Sequence, residues 1–276
     1  QTGDRKREGD PGETTYEMTP IKVGDTVYLC TPHNWVIAVD AETGKERWRF
    51  DPRIATSAKN MQHLTCRGVS YWDGARAGAS VGDCPQRIFR ATNDSRLIAL
   101  DPKTGALCRS FGQGGTVSLL PGQPHYNQGW YQVTSAPLVA RGLVITGGAV
   151  FDNIATKVPS GVIRGYDAAS GKLVWNFDPG NPDDTAPLGA GKHYTPSSPN
   201  SWSTPAADEA LGLVYLPMGM GAVDQWGGHR PATTETFATS VLALDIATGK
   251  PRWVYQTVHH DLWDMDVPAQ PALVDL

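Results

Sequence analysis

The sequence predicts an all-β chain folded as a β-propeller, and three observations lead there. One hairpin motif recurs four times along the chain. Glycine (30) and proline (21) are frequent while charged residues make up only 19%, a balance that favours tight turns over long polar helices. A second, proline-led strand signal stands ahead of most of the hairpins.

The hairpin reads VIAVDAETGKERWRF from Val36, LIALDPKTGALCRSF from Leu97, IRGYDAASGKLVWNF from Ile163 and VLALDIATGKPRWVY from Val241. In each copy an apolar run forms a strand. An aspartate (Asp40, Asp101, Asp167 or Asp245) opens the turn by accepting bonds from amides ahead of it, and a glycine supplies the positive φ. The second strand carries Trp48, Trp175 or Trp253, expected to pack between neighbouring repeats; the second copy is degenerate, with Arg109 at that position. Pro20, Pro137 and Pro205 lead the preceding strands, and the segment from Pro85 to Asn93 takes this part in the second copy.

Four short strands per repeat make a propeller blade. The repeats exceed the usual ~40–50-residue blade period because loops are inserted, and such loops gather on one face and build sites. The expectation is a single partial propeller domain over residues 1–276, open and truncated at both ends. Four blades are too few for an ordinary closed ring. The chain opens on Gln1, and PALVDL at 271–276 is expected to begin another strand.

Net charge is −4 and the pI ≈ 6.0, which argues against a nucleic-acid partner. No run approaches the roughly 18 apolar residues of a spanning helix, and no signal peptide is visible. Cys30, Cys66, Cys84 and Cys108 form no CxxC pair, which disfavours a zinc ribbon. Disulfides in an oxidising compartment and buried free thiols both remain open, and spacing does not give a pairing.

Four segments between the hairpins are not explained by strand building: HLTCRG at 63–68, GGAVFDN at 147–153, NSWSTP at 200–205 and HHDLWDMDVPAQP at 259–271. The last places Asp261, Asp264 and Asp266 within six residues. Clustered carboxylates repel unless a cation or proton shares their site, and one beside a divalent ion is a natural general base. Taken singly, an aspartate here is also a turn former and a tryptophan also a core residue.

Together these segments resemble the membrane-bound quinoprotein glucose dehydrogenase family, which is related to quinate, polyol and methanol quinoprotein dehydrogenases. The resemblance runs from Thr19 onward. It implies an eight-bladed propeller that binds pyrroloquinoline quinone (PQQ) and a Ca²⁺ or Mg²⁺ ion near its axis. By the same resemblance Asp264, after the tryptophan of DLWD, is the catalytic base, and His63 and Arg67 contact quinone and substrate. Asp152 and Asn153 offer metal oxygens, Trp202 is the floor under the quinone, and Glu17 and Thr134 occupy positions similar to cofactor contacts. Each role suits its chemistry: an indole for a planar ring, a guanidinium for carboxylates, hard oxygens for a hard cation.

Two departures stand out. Ala222-Val223-Asp224 replaces the Thr-Pro-Asp of the family, so residue 222 could serve a metal only through its carbonyl. A further catalytic lysine of the family lies past the end of this chain, so the fragment alone is expected to be inactive. The implied reaction is oxidation of an aldose, D-glucose to its lactone. Asp264 takes the anomeric proton, hydride passes to the quinone, and electrons continue to membrane ubiquinone. The implied location is the periplasm, at the inner membrane through segments absent from this chain. The alternatives are a quinate/shikimate or polyol quinoprotein dehydrogenase, and a non-catalytic propeller scaffold.

Overall fold

The computed structural model describes residues 2–56, 61–79 and 81–275. From the N-terminus, β1 (Glu13–Tyr16) precedes a first sheet of β2 (Ile21–Val23), β3 (Thr26–Cys30), β4 (Val36–Asp40) and β5 (Glu46–Phe50). Next come β6 (His63–Cys66) and a second sheet of β7 (Ser70–Asp73), β8 (Gln86–Ala91), β9 (Arg96–Leu100) and β10 (Thr116–Ser118). β11 (Tyr131–Gln132) leads to a third, formed by β12 (Leu138–Ala140), β13 (Leu143–Thr146), β15 (Ile163–Asp167) and β16 (Leu173–Phe177), with β14 (Ala149–Val150) set between β13 and β15. The fourth holds β17 (Ala206–Asp208), β18 (Leu213–Met218), β19 (Ser240–Asp245) and β20 (Pro251–Gln256), with a six-residue helix, α1 (Ala232–Phe237), ahead of β19. Each four-stranded sheet is an antiparallel meander, and together they are four propeller blades. No described helix is long and apolar enough to cross a membrane.

The turn chemistry repeats from blade to blade. Asp40 Oδ1 accepts from the Thr43 amide at 2.8 Å and its hydroxyl at 2.8 Å, and Asp101, Asp167 and Asp245 do the same with Thr104, Ser170 and Thr248. The small residues Ala38, Gly165 and Ala243 stand opposite Trp48, Trp175 and Trp253, and a bulge follows each one. A residue without bulk there lets the indole lie across its own hairpin: a Cβ on Gly165 would sit 2.4 Å from the Trp175 ring.

The apolar core lies between blades. Tyr28, Val36 and Ala38 of the first blade pack with Ile88, Ile98 and Leu100 of the second. Phe89, Leu97 and Phe111 meet Val144 and Tyr166 of the third. Ile145, Trp175 and Phe177 meet Leu216, Leu242 and Leu244 of the fourth. Polar docking fixes the register. Trp48 Nε1 donates to Pro102 O at 2.9 Å and Trp175 Nε1 to Ile246 O at 2.8 Å, in both cases the carbonyl just after the turn aspartate of the next blade. The turn glycines Gly105 and Gly249 lie flat on these two indoles.

The second blade lacks that tryptophan, and Arg87 replaces it. Its buried guanidinium lies beside Trp72 and Phe111 and donates to Ala168 O at 2.7 Å and Ala169 O at 2.6 Å. Ala168 follows Asp167, so the carbonyl served is the equivalent one. The sequence marks Arg109 as the degenerate position but gives no sign of this substitute.

Several expectations need correction. Trp253 does not lie between blades among the described residues: it packs on Tyr215 of its own blade and is 44% exposed. Residues 271–275 are not in a strand; Leu276 lies outside the described residues. Pro85–Asn93 holds the second strand of its blade, the first being β7, which had no proline to announce it. HLTC is itself a strand, β6, paired in parallel with β1. Of the two readings left open for the cysteines, disulfides hold: Cys30 bridges to Cys66 and Cys84 to Cys108, with Cα separations of 6.0 and 5.6 Å. The first bridge ties blade one to the strand that carries His63.

If docking through the indole is worth what the packing implies, Trp175→Ala should cost about 3–5 kcal/mol, as deletion of a buried large aromatic does. Trp175→Phe, which keeps most of the area but loses the bond to Ile246 O, should cost distinctly less. Urea unfolding of the two variants checks this, and equal losses would show that the hydrogen bond, not the area, dominates.

Candidate active site

The polar site is built where segments from all the blades meet. β1 ends just before Glu17, and its pairing with β6 brings Glu17 to Arg67. The N-terminal segment is pinned in turn by a buried cluster: His33 meets Asp4 Oδ1 through Nδ1 at 2.6 Å and Asp10 Oδ2 through Nε2 at 3.0 Å. Hydrogen bonding to Asp4 raises the His33 pKa. The sequence had given no role to this triad.

Arg67 is the hub. Its Nη2 pairs with Glu17 Oε2 at 2.7 Å and its Nη1 donates to Thr134 Oγ1 at 2.6 Å. Its amide donates to Thr134 O at 2.8 Å. The Thr134 hydroxyl donates onward to Trp202 O at 3.1 Å, and the Arg67 guanidinium lies 4.8 Å from the centre of the Trp202 ring. The carboxylate-binding and stacking residues foreseen from the sequence thus stand on one another. His63 lies at the head of the same strand, and burial, reinforced by the charge of Arg67, lowers its pKa and favours the neutral imidazole.

Trp202 links this network to the acidic loop. Its Nε1 donates to Asp266 Oδ2 at 2.7 Å, and Asp266 Oδ1 accepts from the Met220 amide at 2.6 Å. Gly219 is required beneath them, since a Cβ there would fall 2.7 Å from Asp266 Oδ1 and 3.1 Å from Trp202 Nε1. The loop is bent by left-handed residues at His260 (φ 47°), Asp264 (φ 57°) and Asp266 (φ 49°). Aspartate tolerates this region better than most residues, yet each costs on the order of 1 kcal/mol, a strain typical of functional loops.

The three loop carboxylates have different surroundings. Asp261 is buried and accepts from the Trp263 amide at 2.9 Å, the Met265 amide at 2.8 Å and the Thr239 hydroxyl at 2.7 Å. Burial alone would raise its pKa, but these donors outweigh it and hold Asp261 ionised. Asp266 is committed to Trp202 and Met220, although burial still raises its pKa. Asp264 has no such donors. Its buried Oδ1 makes no hydrogen bond, and burial, with the charges of Asp266, Asp224 and Asp261, pushes its pKa up to about 6.

Asp152 belongs to the same acidic group. Burial, then the charges of Asp264 and Asp224, push it up to about 7. Asn153 is exposed, and its Nδ2 meets Asp152 Oδ1 at 3.3 Å. Two members were not foreseen as site residues. Asp224 is buried with Oδ2 unbonded, and Asn200 is buried with Oδ1 unbonded while its Nδ2 donates to Met220 O. Both lie in stretches the sequence singles out, Ala222-Val223-Asp224 and NSWSTP, but nothing in sequence reveals an unbonded oxygen. Among the described residues, no three His, Cys, Asp or Glu side chains are grouped closely enough to hold an ion by themselves.

Four blades docked through tryptophan or arginine, with a carboxylate loop beside a guanidinium-capped indole, define a β-propeller with a polar ligand site. Residues 1–276 match the PQQ family described as "Glucose/ethanol/alcohol dehydrogenase, beta-propeller domain". The chain is 49% identical to the quinoprotein glucose dehydrogenase of Escherichia coli strain K12, over 100% of this chain and 35% of that protein. It is 46% identical to quinoprotein glucose dehydrogenase A of Acinetobacter calcoaceticus, over 100% and 36%. It is 45% identical to the quinate/shikimate dehydrogenase (quinone) of Acinetobacter baylyi, over 94% and 33%. The chain therefore belongs to the PQQ β-propeller dehydrogenase family, and spans about a third of the length of these relatives. Among solved structures, the quinohemoprotein alcohol dehydrogenase of Comamonas testosteroni superposes with a TM-score of 0.70 at 24% identity, covering 95% of this chain and 38% of that one. A europium-containing methanol dehydrogenase gives 0.67 at 22%, covering 94% and 45%. At such identities the likeness speaks for the fold alone.

The raised pKa of Asp264 has a consequence for stability. A carboxyl whose folded pKa lies above its unfolded value, near 3.8, contributes stability that is complete below that value and lost as pH climbs through about 6. In cation-free protein, Asp264→Asn should therefore gain on the parent as pH rises from about 4 to about 6, with no further gain above about pH 7. Thermal unfolding across that range tests it, and a constant difference would mean that Asp264 is not held protonated by its neighbours.

Proposed function

We propose that this chain forms the substrate-oxidising part of a quinoprotein dehydrogenase that oxidises an aldose, D-glucose to its lactone, and passes electrons to ubiquinone. Within it, residues 1–276 are part of one eight-bladed propeller domain, periplasmic and held at the inner membrane by other segments. The observation that carries the reading is Asp264: a carboxylate with an unbonded buried oxygen and a pKa near 6, on a strained loop beside Trp202 and Arg67. A non-catalytic scaffold has no use for that arrangement. The sugar is favoured by relatives at 45–49% identity named quinoprotein glucose dehydrogenase. The quinate/shikimate relative, at 45%, keeps quinate as the second reading.

The donor set fits both absent groups. A planar polycarboxylate calls for an aromatic face and a fixed cation, which Trp202 and Arg67 provide. A hard divalent cation calls for oxygens without other donors, and Asp224 Oδ2 and Asn200 Oδ1 are such atoms. On this reading Glu17, His63, Arg67, Thr134 and Trp202 hold PQQ, while Asp152 and Asn153 contribute to a Ca²⁺ or Mg²⁺ site. When bound, the quinone supplies the hydride-accepting chemistry that no side chain can.

The protein's own residues do the rest. Asp264 accepts the proton of the substrate hydroxyl, its carboxylate being the one of the loop that no hydrogen-bond donor occupies. Neutral His63 can accept or donate one hydrogen bond to the sugar. Asp266 fixes the Trp202 indole in its plane. Asp261, held by three donors, shapes the loop.

In the full-length enzyme, Asp264→Asn should lower kcat by roughly 10²-fold or more with PQQ binding within a few-fold of the parent. Asp261→Asn should lower the unfolding temperature while kcat per folded enzyme changes little. Steady-state oxidation of glucose, quinate and glycerol after reconstitution with PQQ and Ca²⁺ or Mg²⁺ reads all of this. Near-normal kcat in Asp264→Asn would sink the base assignment, and preference for quinate would replace the substrate.

A further inference from the structure

Among the buried guanidinium groups outside the candidate active site, that of Arg164 lines a cavity. Arg164 is the second residue of the third strand of the third blade and is only 2% exposed. Its Nη2 donates to Leu119 O at 2.8 Å and to Tyr131 Oη at 3.1 Å. The guanidinium lies 5.6 Å from the Tyr131 ring centre and 5.8 Å from that of Tyr194. Its Nε is buried and makes no hydrogen bond. Among the described residues, no carboxylate pairs with it. Asp178, the acid nearest Tyr194, accepts instead from the Thr195 amide at 2.7 Å and the Gly180 amide at 3.0 Å. Burial pushes the phenols of Tyr166 and Tyr194 up, so they stay neutral and supply no counter-charge.

A guanidinium taken out of water without an anion is costly, and buried cations are normally paired. Arg164 also lines a cavity of about 310 Å³ between the second and third blades. Its walls mix apolar and polar groups: Tyr166 and Leu188 on one hand, Ser118 and Lys192 on the other. Main chain is accessible at Gly122, Gly189 and Gly191, and Gly122 is closed against Tyr194 and Leu188, where a Cβ would fall within 2.7 and 2.9 Å. Two cations, a hydroxyl and glycine backbone around a small hollow suit a tetrahedral or planar oxyanion.

We propose that the cavity lined by Arg164 and Lys192 binds a small oxyanion, a phosphate or a carboxylate, as the counter-ion that the fold itself does not provide. The anion would bond Arg164 and Lys192 and join the β10 side of the second blade to the 188–194 loop of the third. It is a site separate in its residues from Arg67 and Trp202, and it stands whether or not the proposed sugar oxidation is right.

The test is isothermal titration of the PQQ-loaded full-length protein with inorganic phosphate, and separately with acetate, in chloride buffer. One saturable site per chain is expected, and the arm that binds tighter names the anion. Arg164→Met should weaken it at least 10-fold. Because removing Arg164 can harm folding, Leu188→Trp, which fills the hollow and leaves the guanidinium in place, should do the same. Arg252→Ala, which removes an exposed arginine that does not line the cavity, should leave it unchanged. Absence of saturable binding by either anion, binding unchanged by Leu188→Trp, or loss in Arg252→Ala with retention in Arg164→Met would overturn the proposal.

Discussion

One interaction underlies the rest of the molecule: a hydrogen-bond donor at the edge of one blade reaching the carbonyl that follows the turn aspartate of the next. A four-stranded meander has two faces and cannot bury both alone, so its stability lies in its neighbours. The aspartate bonds its own turn amides, which stiffens the turn and leaves its next carbonyl facing out. Trp48 and Trp175 meet that carbonyl with an indole, and Arg87 meets it with a guanidinium. That one geometry accepts two chemistries indicates that the carbonyl is the constraint, and the donor the variable part.

Because docking fixes the angle between blades, it also fixes where their loops converge. Segments far apart in sequence, around residues 17, 67, 134, 202 and 266, form one connected chain of bonds. Along it a flat aromatic surface and a cation are held together, and the acidic loop is attached at one end through Asp266. The loop then separates three similar carboxylates by environment. Three donors hold Asp261 ionised, two tie Asp266 in place, and Asp264 keeps an unbonded oxygen with its pKa pushed up to about 6. Differences in pKa among adjacent carboxyls are how a protein divides structural from chemical duty.

Much of this could be read from the chain. The turns were legible because Asp, Thr or Ser, and Gly act on their own neighbours within five residues. The proline-led strands at Pro20, Pro137 and Pro205 were legible for the same reason. The degenerate second blade was visible as a gap but not as a solution, since Arg87 lies on a different strand from the missing tryptophan. Asp224 and Asn200 escaped notice because an unbonded oxygen is a property of surroundings, not of residue type. The buried His33 triad and the lone Arg164 cation escaped for the same reason, each depending on partners brought from distant segments.

The sequence by itself determined the repeating unit, the all-β class, the order of the site segments and the membership of the family that carries them. These depend on local turn chemistry and on side-chain identity, which are written residue by residue. Only the tertiary structure decided which cysteines pair, which donor replaces a missing tryptophan, and which of Asp261, Asp264 and Asp266 is left without hydrogen-bond donors. Those outcomes turn on distances between groups remote in the chain, and on the burial that turns a carboxylate or a guanidinium into a charge in need of a partner.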